Sequence, residues 1–363
     1  MSQIAKKAYE LWPGRNKFYF KGKIMLGPDY HRAVLTFFLI FLPEIAFLST
    51  TSQYFSVVIS ILSIIFTIAC ICSLIITATS NPGYILKQEH PFYMGPLGSP
   101  TIYSALVAEP TKAAAIENPC FEQVINGTRV KIKYCRTCWI VRPPRTSHCP
   151  DCDLCVERFD HHCPWVGICI GKYNYSKFLI FLCLTNTLVL FNFICCIIHI
   201  SYGAIDINNN DLSSKQQAQK TLENIGSSIF LGLYMLAFLV FIGGLTVFHC
   251  VLISKGLTTN EAMKKTYKKF SVHPFVKKHF WGNFRSVIKP KKKKSVNLMS
   301  EVREKNDDAC NECISDKAFN KLGTITEFEG RYDNNKLGDK DDISETPSII
   351  HENIKSENQI TIN

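Results

Sequence analysis

Charge is almost absent from four long stretches of this 363-residue chain: Ala33 to Ser52, Phe55 to Ala78, Lys177 to Ser201 and Ile225 to Leu252. A helix of about 20 residues crosses a bilayer, and each stretch is that long. The second and fourth also lack the polar interruptions that a helix buried in a water-soluble core shows on its outer face. No repeated pattern of charged residues runs through the stretches, which disfavours a transporter or channel. A cleavable leader is not expected either, because the first thirty residues are polar and basic without a short apolar block.

The basic residues that remain are unevenly placed. Lys6, Lys7, Arg15, Lys17, Lys21, Lys23 and Arg32 precede the first stretch, whereas Thr51 to Gln53 after it carry no charge. Lys131, Lys133, Arg136, Arg142 and Arg145 lie between the second and third stretches, and Lys255, Lys264, Lys265, Lys268 and Lys269 follow the fourth. By the positive-inside rule both termini and the central block are cytosolic. A net charge of +11 conceals a split, since residues from Glu301 onward carry −7 and the remainder +18. That tail has few aromatics and is expected to be disordered. The run Lys291 to Lys294 follows a transmembrane core, so it reads as a lipid-surface anchor and no nucleic-acid partner is expected.

The central block holds seven cysteines and three histidines in 35 positions, spaced C-x2-C-x9-H-C-x2-C-x2-C-x4-D-H-H-C-x5-C from Cys135 to Cys169. In a reducing compartment such spacing points to metal ligation or thiol chemistry rather than disulfides. Structural zinc takes four Cys or His ligands in a closed tetrahedron, so two ions use eight of the ten groups and leave two spare. The simplest partition is interleaved: Cys135, Cys138, His148 and Cys155 for one ion, and Cys149, Cys152, His162 and Cys169 for the other. Spacing alone leaves Cys163 and Cys169 interchangeable, and an adjacent His-His pair is itself a common double ligand. A purely structural zinc module stays open on these residues. Asn126-Gly127-Thr128 matches a glycosylation acceptor but falls on the cytosolic side and is read as unused. Cys310 and Cys313 form a C-x-x-C pair without further ligands nearby.

The expected fold is an all-α polytopic membrane protein, with four transmembrane helices and a cytosolic Cys-rich two-zinc domain between helices 2 and 3. Glu44, beside Pro43, is an acid inside an apolar stretch and hence a functional candidate. Asn186, Asn192, His199 and His249 also fall in spans, where hydrogen bonds between helices are expected.

The block resembles the Cys-rich domain of the DHHC protein S-acyltransferases. The resemblance is carried by Cys135-x2-Cys138, Arg142-Pro143-Pro144-Arg145, His148-Cys149, Cys152, Cys155, Asp160-His161-His162-Cys163-Pro164-Trp165-Val166 and Cys169-Ile170-Gly171-x2-Asn174-x3-Phe178. Asn81-Pro82-Gly83, the T-T-x-E element Thr258-Thr259-Asn260-Glu261 and the segment His273-Pro274-Phe275 to Asn283-Phe284 follow in the family's order. Pro13-Gly14-Arg15-Asn16-Lys17-Phe18 is similar to the Ras-modifying and plant subset. One departure is Ile168, where many members have Asn before the last ligand cysteine; a hydrogen bond supporting the second zinc loop is expected to be missing.

What the resemblance implies is specific. Cys163 is the nucleophile, His161 its base, Asp160 the group that orients that base, and Thr259 a contact to Asp160, while His162 goes to zinc. The donor is palmitoyl-CoA, the acceptors are cytosolic cysteines of membrane-associated proteins, and the two Zn2+ ions are structural. Cys163 precedes Lys177 by 14 residues, which keeps the thiol near the membrane face. The resemblance favours the Golgi or another endomembrane, with the plasma membrane also open, and some relatives use an accessory subunit. A catalytically idle zinc-containing scaffold is the competing reading. The chain then divides into an arm (1–32), helices 1 and 2 (33–80), a region at 81–176 with the zinc domain at about 133–176, helices 3 and 4 (177–253), a segment with the T-T-x-E element (254–295) and the tail (296–363).

Overall fold

The computed structural model describes residues 6–7, 9–88, 93–94, 100–101, 120–208, 214–268, 273–277, 279–288 and 301–302. The Lys291 to Lys294 run, the Cys310/Cys313 pair and nearly all of the acidic tail lie outside the described residues. Helix α1 covers Tyr30–Ser49, α2 Val57–Ala78, α3 Tyr175–Asn208 and α4 Ser214–Ser254. Among the described residues, four segments are long and apolar enough to cross a membrane: Tyr30–Tyr54, Val57–Ala78, Tyr175–Ile205 and Ile225–Ser254. Two short helices follow, α5 at Thr259–Met263 and α6 at Phe280–Ile288.

The packing of α2 shows which solvent this bundle is built for. Its buried positions include Ser63, Thr67, Cys70, Ser73 and Thr77, at helical spacing. Ile61, Ile64, Ile65, Ile68, Ile75 and Ile76 are exposed instead. Water would invert that arrangement, but in lipid the apolar face gains nothing from hiding, and small or hydroxylated residues let helices approach. Helix α3 lies between α2 and α4, and α1 packs on α2.

Polar side chains tie the helices together inside. Asn186 on α3 donates to Thr246 Oγ1 on α4 at 2.7 Å, and His199 Nδ1 lies 2.7 Å from Ser228 Oγ. Glu44 is buried within the bundle: Asn192 Nδ2 donates to its Oε2 at 2.9 Å, and Ser63 Oγ lies 2.7 Å from its Oε1. Its carboxyl thus joins α1, α2 and α3 and does not reach for the membrane surface.

Short strands build the rest. An arm hairpin pairs β1, Lys17–Tyr19, with β2, Ile24–Leu26. After α2 comes β3, Tyr84–Ile85; then β4, Cys120–Ile125, turns at Asn126-Gly127 into β5, Thr128–Cys135, which pairs with β6, Ile140–Val141. Two three-residue hairpins follow: β7, Ser147–Cys149, with β8, Leu154–Val156, and β9, His161–Cys163, with β10, Ile168–Ile170. Strand β3 adds to β8, which fixes the segment after α2 on the Cys-rich region. Helices thus carry the membrane part, and β-hairpins carry the domain between α2 and α3.

Candidate active site

Side chains alternate between the two faces of a strand, and this sorts the cysteine and histidine groups. In β7–β8, His148 sits opposite Cys155, while its neighbour Cys149 faces the other way. In β9–β10, His162 sits opposite Cys169, while His161 and Cys163 share the reverse face. Two clusters result, Cys135/Cys138/His148/Cys155 and Cys149/Cys152/His162/Cys169, each with its four donor atoms within 4.8 Å of one another. His162 Nδ1 lies 3.6, 3.5 and 3.5 Å from the sulfurs of Cys149, Cys152 and Cys169. Around tetrahedral zinc, with Zn–S about 2.3 Å and Zn–N about 2.0 Å, nitrogen and sulfur ligands stand about 3.5 Å apart. Donor type and spacing therefore both fit zinc.

The outward nitrogens of the two histidines meet carboxylates. His162 Nε2 lies 3.2 Å from Asp29 Oδ2, and His148 Nε2 lies 3.7 Å from Asp153 Oδ1. Such partners fix the tautomer and ring orientation of a ligating imidazole. Asn174 supports the second cluster's loop, accepting from Gly171 N at 2.9 Å and donating to Cys169 O at 2.9 Å. That loop has hydrogen-bonded support despite Ile168, which is fully buried in the apolar core opposite Cys163.

Immediately before β9, Asp160 is 2% exposed and fully engaged. Its Oδ2 meets His161 Nδ1 at 2.7 Å and accepts from Thr259 Oγ1 at 2.7 Å, and its Oδ1 accepts from Thr259 N at 2.9 Å. Burial opposes ionisation of Asp160, but hydrogen bonding and charge attraction from His161, with Thr259's backbone N–H, outweigh it and hold the carboxyl below its usual range. Burial likewise works against a charged His161, yet its hydrogen bonds to Asp160 and Cys163 raise it to about 9. His249 joins the group: it lies with Asp160 and His161 in one cluster, and its Nδ1 is 2.8 Å from Tyr175 OH.

Cys163, 6% exposed, opens onto a cavity of about 350 Å³ between the helices. Phe181, Leu182, Phe238 and Leu245 line it, and it reaches Glu44 and Asn192. From Phe178 to Asn192 the wall follows about 21 Å of α3. The walls are almost wholly apolar.

Helix α5 secures this arrangement from 99 residues further along the chain, the separation of Thr259 from Asp160. Thr258 and Glu261 form a reciprocal capping box, and Asn260 N donates to Asp160 O at 3.0 Å. Glu261 also takes a two-pronged bond from Arg145, at 2.7 and 2.6 Å. The same guanidinium donates to Gly256 O at 2.8 Å and lies over the Phe275 ring at 4.9 Å. Asp29, Tyr84, Arg145 and His249 make contacts here that sequence reasoning did not assign, although Arg145 stands in the Arg142-Pro143-Pro144-Arg145 motif. Their partners are 133, 68 and 116 residues away in the first three cases, and no local spacing marks such pairs.

A buried thiol opening onto an almost wholly apolar cavity, among helices long enough to cross a membrane and beside an Asp160–His161 pair, defines a class of membrane-embedded proteins whose reactive group faces an apolar chamber. Residues 129–266 match the family model described as DHHC palmitoyltransferase. The chain is 31% identical over 327 residues to Protein S-acyltransferase 8 of Arabidopsis thaliana, covering 83% of this chain and 77% of that one. It is 35% identical to Probable protein S-acyltransferase 7 over 298 residues, covering 79% and 64%, and to Probable protein S-acyltransferase 6 over 273 residues, covering 73% and 63%, both from the same plant. It therefore spans just under two thirds of those last two. The chain belongs to the DHHC family and is a protein S-acyltransferase.

Proposed function

We propose that Cys163 carries the acyl group in transit from palmitoyl-CoA to a cysteine of a membrane-associated protein. The observation that carries this is the β9 strand. It presents His161 and Cys163 on one face, with Asp160 locked by Thr259 behind the imidazole and an apolar cavity in front of the thiol.

In the first step the Cys163 thiolate, its proton held on His161, attacks the thioester carbonyl of acyl-CoA. The bond from that carbonyl to the coenzyme A sulfur breaks, and the departing thiolate takes the proton from His161. In the second step His161 accepts the proton of the substrate cysteine. The new thiolate attacks the acyl-enzyme, and Cys163 leaves and is reprotonated. Each step replaces one thioester by another, so little net energy is released and catalysis rests on thiolate supply and positioning. Asp160 stabilises the imidazolium between the transfers. Each buried methylene contributes about 0.8 kcal/mol, which suits the apolar cavity to a long chain.

Cys135, Cys138, His148 and Cys155 hold one Zn2+, and Cys149, Cys152, His162 and Cys169 the other. The metal supplies structural bracing of the hairpins, since four protein ligands leave no position for substrate. The charge asymmetry supports a cytosolic Cys-rich domain with cytosolic termini. The family resemblance supports the Golgi or another endomembrane as the location, and an accessory subunit as a partner. Incubation of the purified protein with a clickable palmitoyl-CoA tests the reaction: label should appear on Cys163 and be released by hydroxylamine. A protein that binds zinc but takes no label would be a scaffold instead.

A further inference from the structure

The arm segment Pro13-Gly14-Arg15-Asn16-Lys17-Phe18 lies against the second Cys3His cluster. Trp12 Nε1 donates to Asn16 Oδ1 at 3.1 Å, and the Asn16 amide nitrogen donates to Leu26 O at 3.3 Å and to the Tyr84 hydroxyl at 3.2 Å. Tyr84 in turn donates its hydroxyl proton to Cys152 Sγ at 3.0 Å. Donors along this relay all point one way, and it ends on a sulfur. Beside it, Arg15 N donates to the carbonyl of Cys152 at 3.0 Å. Just beyond the arm hairpin, Asp29 Oδ2 meets the Nε2 of His162 at 3.2 Å.

The contact is too close for ordinary side chains at two points. A Cβ on Gly14 would run into Leu154 and the carbonyl of Cys152, and one on Gly27 would overlap the carbonyl of Gly167. The first cluster has different outer partners, Asp153 on His148 and Gln88 N on the carbonyl of Cys138 at 3.0 Å.

We propose that the N-terminal arm is a working part of the second zinc site, with Asn16, Tyr84 and Asp29 as positioning residues for Cys152 and His162. The inference rests on the zinc ligand sets proposed above. Three thiolates against one Zn2+ leave a net −1, and a hydroxyl donor on one sulfur stabilises that excess charge. A carboxylate on the outward nitrogen of His162 fixes the proton there and leaves Nδ1 free for metal. Because His162 sits between His161 and Cys163, whatever holds His162 also sets the strand that presents the thiol.

The test compares the purified full-length protein with Tyr84→Phe, which deletes one hydroxyl, and Asp29→Asn, which keeps the shape. Asn16→Ala is a third, less conservative variant. Zinc per chain is measured by elemental analysis. Release is then followed under a chelator in the presence of an alkylating reagent, with the alkylated cysteines located by mass spectrometry. The expected result is release about 10- to 100-fold faster from one site only. Cys149, Cys152 and Cys169 should become reactive early, while Cys135, Cys138 and Cys155 keep their original rate. Unchanged release from both sites in Tyr84→Phe and Asp29→Asn overturns the proposal, and so does equal acceleration of all six thiols, which would report general loosening. Wild-type protein with far fewer than two zinc ions per chain would defeat the ligand sets themselves, a failure seen before any variant is made.

Discussion

At the scale of single residues, the alternation of a three-residue strand does much of the sorting. His161 and Cys163 point one way and His162 the other, so adjacent imidazoles serve different ends without any special backbone. Cys163→Ser replaces the thiol by a hydroxyl that gives up its proton far less readily. It should abolish hydroxylamine-sensitive labelling by acyl-CoA while zinc content stays at two per chain; loss of one zinc would mean that Cys163 is a ligand. Thr259→Val removes the hydroxyl donor to Asp160 Oδ2 and keeps the backbone N–H on Oδ1. A hydrogen bond to a buried charge is worth about 1.5–3 kcal/mol, so acyl-enzyme formation should slow by about 10- to 100-fold with the protein still folded. The surplus of two groups over eight ligands was legible from spacing, because ligand count is a chemical constant. Which group was surplus was not legible in the residues themselves, since that depends on strand register, and the Asp160–Cys163 run carries no alternating apolar pattern to announce a strand.

At the scale of elements, α5 is a five-residue helix that no propensity argument would sustain alone. It persists because its first turn is capped within four residues and its Glu261 is pinned by Arg145 from the Cys-rich domain. Thr258-x-x-Glu261 is the spacing of a capping box, a signal present in the sequence. The guanidinium that completes it lies 116 residues earlier and leaves no local trace. With side chains 11% and 4% exposed, the Arg145–Glu261 pair is largely withdrawn from water. Removing one partner strands a buried charge, so Arg145→Ala should destabilise the protein by about 3–5 kcal/mol, read as a lowered thermal midpoint in detergent. Removing both partners should cost less than the sum of the single losses. A double variant as unstable as that sum would show that the two groups do not act as a pair.

At the scale of the whole molecule, the arm, the two zinc hairpins, α5 and α6 gather at one end of the bundle, joined by contacts such as Arg15 N to Cys152 O, Asn260 N to Asp160 O and Arg158 to Ser286 O. The turn between α1 and α2 lies at the opposite end, where Thr51 Oγ1 meets Ser228 Oγ at 2.7 Å near the start of the α4 span. Residues 1–300 carry +18, and most of that charge flanks the first of these ends. Basic flanks resist translocation, so the hairpin end should stay in the cytosol and the Thr51 end should face the lumen. Glycosylation maps this directly, because acceptor Asn residues are modified only on the lumenal side. The native acceptor Asn126 sits in the β4–β5 turn, on the hairpin side, with its side-chain nitrogen bonded to Pro274 O at 2.7 Å. It should remain unmodified in cells. A spacer carrying Asn-Gly-Thr, placed between Asn208 and Ser214 in the connection from α3 to α4, should gain a glycan that an endoglycosidase removes. Modification at Asn126 with none at the insertion would reverse the orientation and put the thiol of Cys163 out of reach of cytosolic acyl-CoA.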